Sequence, residues 1–256
     1  MPSLARAELE SLLRARKLDR TLTTALPGQT THDDLSVAAT GIASLDARLG
    51  GGFPRGQLSE VAGARSSGRT SLLLRMLAAS TARGELAALV DALDMLDIAS
   101  ASAAGIDLER LLWVRGHVVT NPGMCRDLNQ RAVEQAIKAL TLVLQAGNFG
   151  LVVFDVVEAP HDALRRLPFT TWLRLQRIIA GSQTACVLMG GEAMARSSAG
   201  LTINIGRREL GVGSSGIRFN DRLFQGFDIN SRVVRARSYA KEEATATFAT
   251  AASHHV

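Results

Sequence analysis

The sequence predicts an α/β fold: a mostly parallel, twisted sheet with helices on both faces and an antiparallel extension at the C-terminal end. Three observations predict it. Apolar runs of strand length alternate with helical patterns of ten or more residues, the order of a parallel sheet joined by helical crossovers. The clearest run, residues 151–157 (LVVFDVV), is almost continuously apolar, as a strand buried on both faces must be. After residue 200 the helical patterns stop and strand-like segments follow one another, which favours antiparallel pairing.

In chain order, residues 3–21 read as a helix, because Leu4, Leu9, Leu12, Leu13 and Leu18 recur near the helical period. Residues 22–36 hold Thr, Pro, Gly, Asp and His with little apolar content and read as a linker. Residues 1–36 are thus a separable N-terminal helix and linker. The helix either folds back on the domain or forms an arm that docks on another protein; its periodicity fits both. A core domain follows over 37–251. Residues 58–62 form a strand, a Gly-rich turn comes next, and a helix covers 69–83. A strand at 86–93 precedes a helix at 94–104 that ends at Gly105, and 111–115 is strand-like. Residues 123–146 carry Ala132, Val133, Ala136, Ile137, Leu140, Val143 and Leu144 on one helical face. A helix at 168–181 and a buried strand at 185–189 follow 151–157. Segments 201–210, 232–238 and 245–251 form the antiparallel extension. The tail, 252–256, is too short and polar to order itself, and His254 and His255 belong to that frayed end.

Composition narrows the class. The chain has 256 residues, 46% hydrophobic and 21% charged, the balance of a globular protein with a sizeable core. Aromatic residues make up 4%, so Ala, Leu, Val and Ile must build that core. No apolar run is long enough to span a membrane, and the first residues mix acids and bases where a secretory signal needs an apolar centre. A cytoplasmic location is the expectation. Cys125 and Cys186 have no metal-ligand neighbours at useful spacing and read as buried thiols. The net charge of +5 rests on arginine, since the lysines are Lys17, Lys138 and Lys241. That charge permits contact with nucleic acid or an acidic partner and leaves DNA contact open.

The most informative segment runs from Gly63 to Ser71 (GARSSGRTS). It follows a strand and opens a helix, where backbone N–H groups can surround phosphate oxygens. It meets the G-x-x-x-x-G-K-[ST] pattern at every defined position but one: Arg69 stands where lysine belongs. A planar guanidinium does not replace a compact ammonium atom for atom. Gly63, Ser67, Gly68, Arg69, Thr70 and Ser71 are the candidate phosphate-binding residues. Thr70 would offer its hydroxyl to a magnesium ion, and Asp155, closing the apolar strand, would be the second metal-side group.

These segments resemble the RecA family. TGIASLDARLGGGFPRGQLSEVAGARSSGRTS (40–71) is similar to the stretch that leads in RecA through a glycine-rich turn into the phosphate loop. The likeness continues through VDALDMLD (90–97), GIDLERLL (105–112), LVVFDVVEA (151–159) and RVVRARSYAKEEATATF (232–248), and covers about 38–250. It implies a RecA-like P-loop core with ATP and Mg2+ as cofactors. The departures are as informative. Where RecA carries an Asp-Ala-Glu whose glutamate activates water, this chain has Asp91-Ala92-Leu93, and leucine cannot act as a base. The adenine-stacking aromatic falls at about Ser100, and the long DNA-binding loop before the strand at Leu201 is reduced to a short link. Catalytic residues are therefore expected to be none, and loss of the cofactors stays open.

Within the superfamily the chain looks most like the ImuA (SulA-like) family of translesion synthesis accessory proteins. That resemblance implies a non-catalytic role in the DNA damage response, with a Y-family-like polymerase homologue and an error-prone replicative polymerase as partners, and RecA itself as a third candidate. The competing reading is a slow ATPase that binds DNA. In it Asp94 or Glu158 orients water, and Arg165, Arg166, Arg174, Arg177, Arg207 and Arg208 are candidates for DNA contact. A third reading is a modulator of RecA filaments.

Overall fold

A computed structural model describes residues 37–116, 126–195, 199–207, 217–220, 223–236 and 245–249. The chain divides into two compact units, 1–35 and 36–256, and the described residues belong to the second. The expectations for the helix at 3–21, the linker, Cys125, Arg208, His254, His255 and the tail lie outside the described residues.

The first elements are β1 (Val37–Ala38), α1 (Ala43–Leu49) and β2 (Phe53–Pro54), with β1 and β2 paired antiparallel. The central sheet begins with β3 (Leu58–Ala62), then α2 (Arg69–Ala82), β4 (Ala87–Asp91), α3 (Ile98–Ala103) and β5 (Leu111–Arg115). It continues with α4 (Arg126–Ala146), β6 (Leu151–Asp155), α5 (His161–Arg165), α6 (Phe169–Ile179) and β7 (Ala185–Gly190). It closes with β8 (Leu201–Arg207), β9 (Ile217–Asn220), β10 (Leu223–Ala236) and β11 (Thr245–Ala249). The strand order is β11-β10-β8-β3-β7-β6-β4-β5, with β9 paired to β10. From β5 to β8 every pairing is parallel; β10 pairs antiparallel with β8, β9 and β11. The α/β class and the antiparallel extension are both present. Segment 201–210 was grouped with that extension on sequence, yet β8 runs parallel to β3.

Alternation along the strands sorts the core into two faces. Leu151 and Val153 pack with Leu72, Leu73, Met76 and Leu77 of α2, while Val152 and Phe154 pack with α4 and α6 through Leu140, Trp172 and Leu175. Continuously apolar strands are what a sheet covered on both sides requires, and β3, β4 and β7 are buried along their whole length. Cys186 lies in this core, where burial pushes its thiol up to about 12. The helix predicted at 94–104 is shorter. Its N-cap is Asp97, whose carboxylate accepts the Ser100 N–H at 2.8 Å, while Asp94 sits in the preceding turn with φ 58°. A cap at Asp97 satisfies an amide that Asp94 is too early to reach.

The link from β7 to β8 positions the site. β7 and β8 flank β3 and both run parallel to it, so residues 191–200 must return from one end of the sheet to the other. Glu60, 1% exposed in β3, holds this short crossover. Its Oε1 accepts the N–H groups of Met194 (2.6 Å) and Ala195 (2.5 Å), and its Oε2 accepts the Thr202 hydroxyl at 3.1 Å. The Gly200 N–H donates to the Leu58 carbonyl at 2.8 Å. A buried carboxylate persists because every partner is supplied. Replacing Glu60 with Ala should orphan two amides and a hydroxyl and cost about 2–4 kcal/mol in urea unfolding, with faster hydrogen exchange at Met194 and Ala195.

Candidate functional site

Because the strands from β5 to β8 are parallel, the C-terminal ends of β4, β6, β7 and β3 lie along one edge, where open α/β sheets present their ligand crevice. Register fixes their order there. Ala62 faces Gly190, Met189 faces Asp155, and Asp155 faces Asp91. The phosphate loop leaves β3 at this edge and enters α2 at Arg69.

The loop has the backbone of an anion cradle. Ser66 adopts φ 58° and Gly68, the N-cap of α2, adopts φ 97°. Positive φ at these two positions is the kind of turn that can present backbone N–H groups to an anion, and the intervening Ser67 N–H donates to the Ala64 carbonyl at 3.2 Å. Glycine is required at both ends of the motif. A Cβ on Gly68 would stand 1.9 Å from Ile229 Cδ1, and one on Gly63 would stand 2.5 Å from the Ile205 carbonyl oxygen and 2.7 Å from Ser67 Oγ. Ser67 is 3% exposed, and its buried hydroxyl has no hydrogen-bond partner. Thr70 is exposed and Ser71 partly buried at the start of the helix. The loop residues from Gly63 to Ser71 and Asp155 thus lie at one end of the sheet, as the sequence reading expects.

Arg69 does not extend into solvent. It is 5% exposed, its Nη1 lacks a hydrogen-bond partner, and that nitrogen lies 4.0 Å from where a Gly191 Cβ would be. Burial holds its guanidinium below the ordinary arginine value, with Asp155 and Glu158 favouring the charge and Arg65 opposing it. The exposed Arg65 pairs with Glu158, which raises the Arg65 pKa and joins the phosphate loop to the segment after β6.

Asp155 Oδ1 accepts the Val157 N–H at 2.9 Å. Burial pushes its carboxyl up to about 6, aided by Asp91 and Glu158 and opposed by the Val157 amide and Arg69. The neighbouring Asp91 is buried and accepts the Leu96 N–H at 2.9 Å and the Trp113 indole N–H at 3.3 Å. Leu93, at the position where a water-activating acid is expected, is 6% exposed and packed into the core on the α4 and α6 side. The two acids considered as replacements are both engaged: Glu158 with Arg65, and Asp94 bidentate with Arg115 at 2.7 Å for each oxygen. Arg115 also lies 4.6 Å over the Trp113 ring. Ser100 is exposed on α3. The arginines at 165, 166, 174 and 177 are exposed on and beside α5 and α6. A cavity of about 560 Å³ opens beside Ala64, floored by Trp172 and Met194 and bordered by the His161–Glu192 contact at 2.6 Å.

The arrangement fits a phosphate: a nest of N–H groups at a helix start, two glycines without room for a side chain, and two buried polar atoms inside the loop lacking protein partners. The profile of the RecA N-terminal domain matches residues 23–164, more than half of the chain. The chain belongs to the RecA family. RecA of Francisella philomiragia is 34% identical over 135 residues, covering 52% of this chain and 34% of that protein. RecA of Mycolicibacterium smegmatis is 35% identical over 133 residues, with the same shares. The chain thus spans about a third of the length of these curated relatives. The crystal structure of the RadB recombinase aligns with a TM-score of 0.56 at 19% identity, over 83% of this chain and 96% of that one, which shows the common fold. No helix among the described residues is long and apolar enough to cross a membrane.

Sequence reasoning missed Asp91 and the Arg65–Glu158 pair as neighbours of the phosphate loop and Asp155, and Glu60 as the anchor of the crossover. An acid inside an otherwise apolar strand was the available signal for the first two; nothing local announces the third.

Two predictions follow from burial. A carboxyl whose folded pKa lies above its unfolded one costs the fold nothing below about pH 4 and a growing amount as pH rises through 6. Asp155→Asn should therefore leave stability unchanged at pH 4 and raise it by on the order of 2 kcal/mol at pH 7.5, read by denaturant titration at both pH values. Leu93→Glu would put an acid into the core, and should lower stability by about 2–4 kcal/mol without producing ATP turnover.

Proposed function

We propose that this chain is a RecA-fold accessory protein of the DNA damage response that acts through protein contacts and does not turn over ATP. The observation that carries the reading is the pairing of a preserved phosphate loop with a core leucine, Leu93, at the position of the water-activating acid. Loss of a general base alone removes about two to four orders of magnitude in rate. Arg69 in place of lysine, and the engagement of Asp94 and Glu158 in ion pairs, act in the same direction. The short, Glu60-bound crossover after β7 supports a role without a long DNA-binding loop. The resemblance to the ImuA family supports a role in translesion synthesis, with a Y-family-like polymerase homologue and an error-prone replicative polymerase as partners. A cytoplasmic location and a part in the SOS response accompany that reading.

The test combines turnover with assembly. Phosphate release from Mg-ATP, with and without single-stranded DNA, should match a protein-free blank, and the chain should co-elute with the polymerase homologue whether residue 69 is Arg or Met. DNA-stimulated turnover, or failure to co-elute, would overturn the proposal.

A second reading is a slow DNA-binding ATPase, favoured by the exposed arginines at 165, 166, 174 and 177. It requires DNA affinity to fall steeply with salt, by about tenfold or more between 50 and 200 mM. Kinship with RecA also supports action on a RecA filament, which a RecA strand-exchange assay with added chain would register.

A further inference from the structure

We propose that Arg69 is a built-in cation of the phosphate loop, so that this pocket holds a nucleoside triphosphate without a divalent metal ion. The inference rests on the reading that the loop still takes phosphate, and adds which charge neutralises it. In a pocket of this type a lysine reaches the phosphates from the helix start and a separate metal ion, shared by a loop hydroxyl and a strand-end carboxylate, supplies the remaining positive charge. Here one side chain covers both places. Arg69 starts α2, yet its Nη1 reaches the end of β7 beside Gly191 and is close enough to Asp155, at the end of β6, for the two charges to influence each other. The guanidinium is therefore at the same end of the sheet as the phosphate loop and Asp155, beside the first residue after β7.

Three features support this assignment. Arg69 is 5% exposed with Nη1 unpartnered, and Ser67 is 3% exposed with Oγ unpartnered, so two buried polar atoms of the loop await an acceptor or donor from outside the protein. Arg65, the other arginine of the loop, is engaged with Glu158. Asp155 gives one oxygen to the Val157 amide and feels the charge of the buried Arg69 guanidinium, so a metal ion bound at this acid would meet a nearby cation. A guanidinium meets phosphate oxygens through directed, charge-assisted hydrogen bonds, and its charge does not depend on a metal supply.

The experiment is calorimetric titration of the full chain with ATP in two buffers, one with EDTA and one with millimolar MgCl2. The wild-type affinities should agree within about threefold. Arg69→Lys, which restores the usual residue of the loop, should bind ATP about tenfold or more weakly in EDTA than in magnesium, and Arg69→Met should lose binding in EDTA. Circular dichroism confirms that each variant is folded, and the wild-type comparison decides even where one is not. A wild-type affinity that rises about tenfold or more on adding magnesium overturns the inference and leaves a working phosphate pocket. Absence of binding in both buffers also overturns it, and leaves the accessory role standing, since that role is read from turnover and co-elution.

Discussion

Two aspartates in register on neighbouring parallel strands repel each other unless something between them answers the charge. Asp91 and Asp155 are such a pair, and the end of the sheet is arranged around them. The Leu96 amide and the Trp113 indole take up Asp91, the Val157 amide takes one oxygen of Asp155, and the Arg69 guanidinium lies close enough to favour its ionised form. The shared edge is a consequence of parallel pairing, and the arginine at the head of α2 contributes to balancing its charge. Asp155 still carries a raised pKa, so the balance is incomplete, as sites that receive a charged ligand commonly are.

The opposite economy governs the crossover after β7. A long loop there would have to order itself on a ligand, whereas this short one is tied to a strand at the middle of the sheet by Glu60, whose other oxygen accepts the hydroxyl of Thr202 in the next strand. The Glu60 hydrogen bonds lie on the face packed by α4 and α6, away from the α2 face that holds Arg69. Glu60 therefore holds the crossover from the face opposite α2, while the first crossover residue, Gly191, stands beside Arg69.

Much of this was legible in the sequence. The buried strands announced themselves as continuous apolar runs, and the loop from Gly63 to Ser71 announced both its shape and its one unusual residue. Leu93 was readable, from its register with Asp91, as an apolar residue where the RecA pattern has an acid. What stayed hidden depended on contacts between distant segments. Asp94 lies next to a helix and so resembles a cap, and the presence of Arg115 across the turn is what commits it elsewhere. The parallel run of β8 was hidden for a related reason. A crossover of ten residues looks like a hairpin loop until the partner of the strand is known. Glu60 was overlooked because a single acid in LSEVA marks an unusual strand residue without naming the amides it will meet more than a hundred residues later.

The wall of the phosphate loop is supplied from far along the chain. Ile205 of β8 and Ile229 of β10 stand against Gly63 and Gly68, so the loop is enclosed by strands synthesised long after it. On the ribosome, the segment through α2 emerges with its anion cradle open on one side, and it acquires its closed contour when β10 docks. The closed contour of the loop is in that sense a late property of the nascent chain, completed once the C-terminal strands are in place.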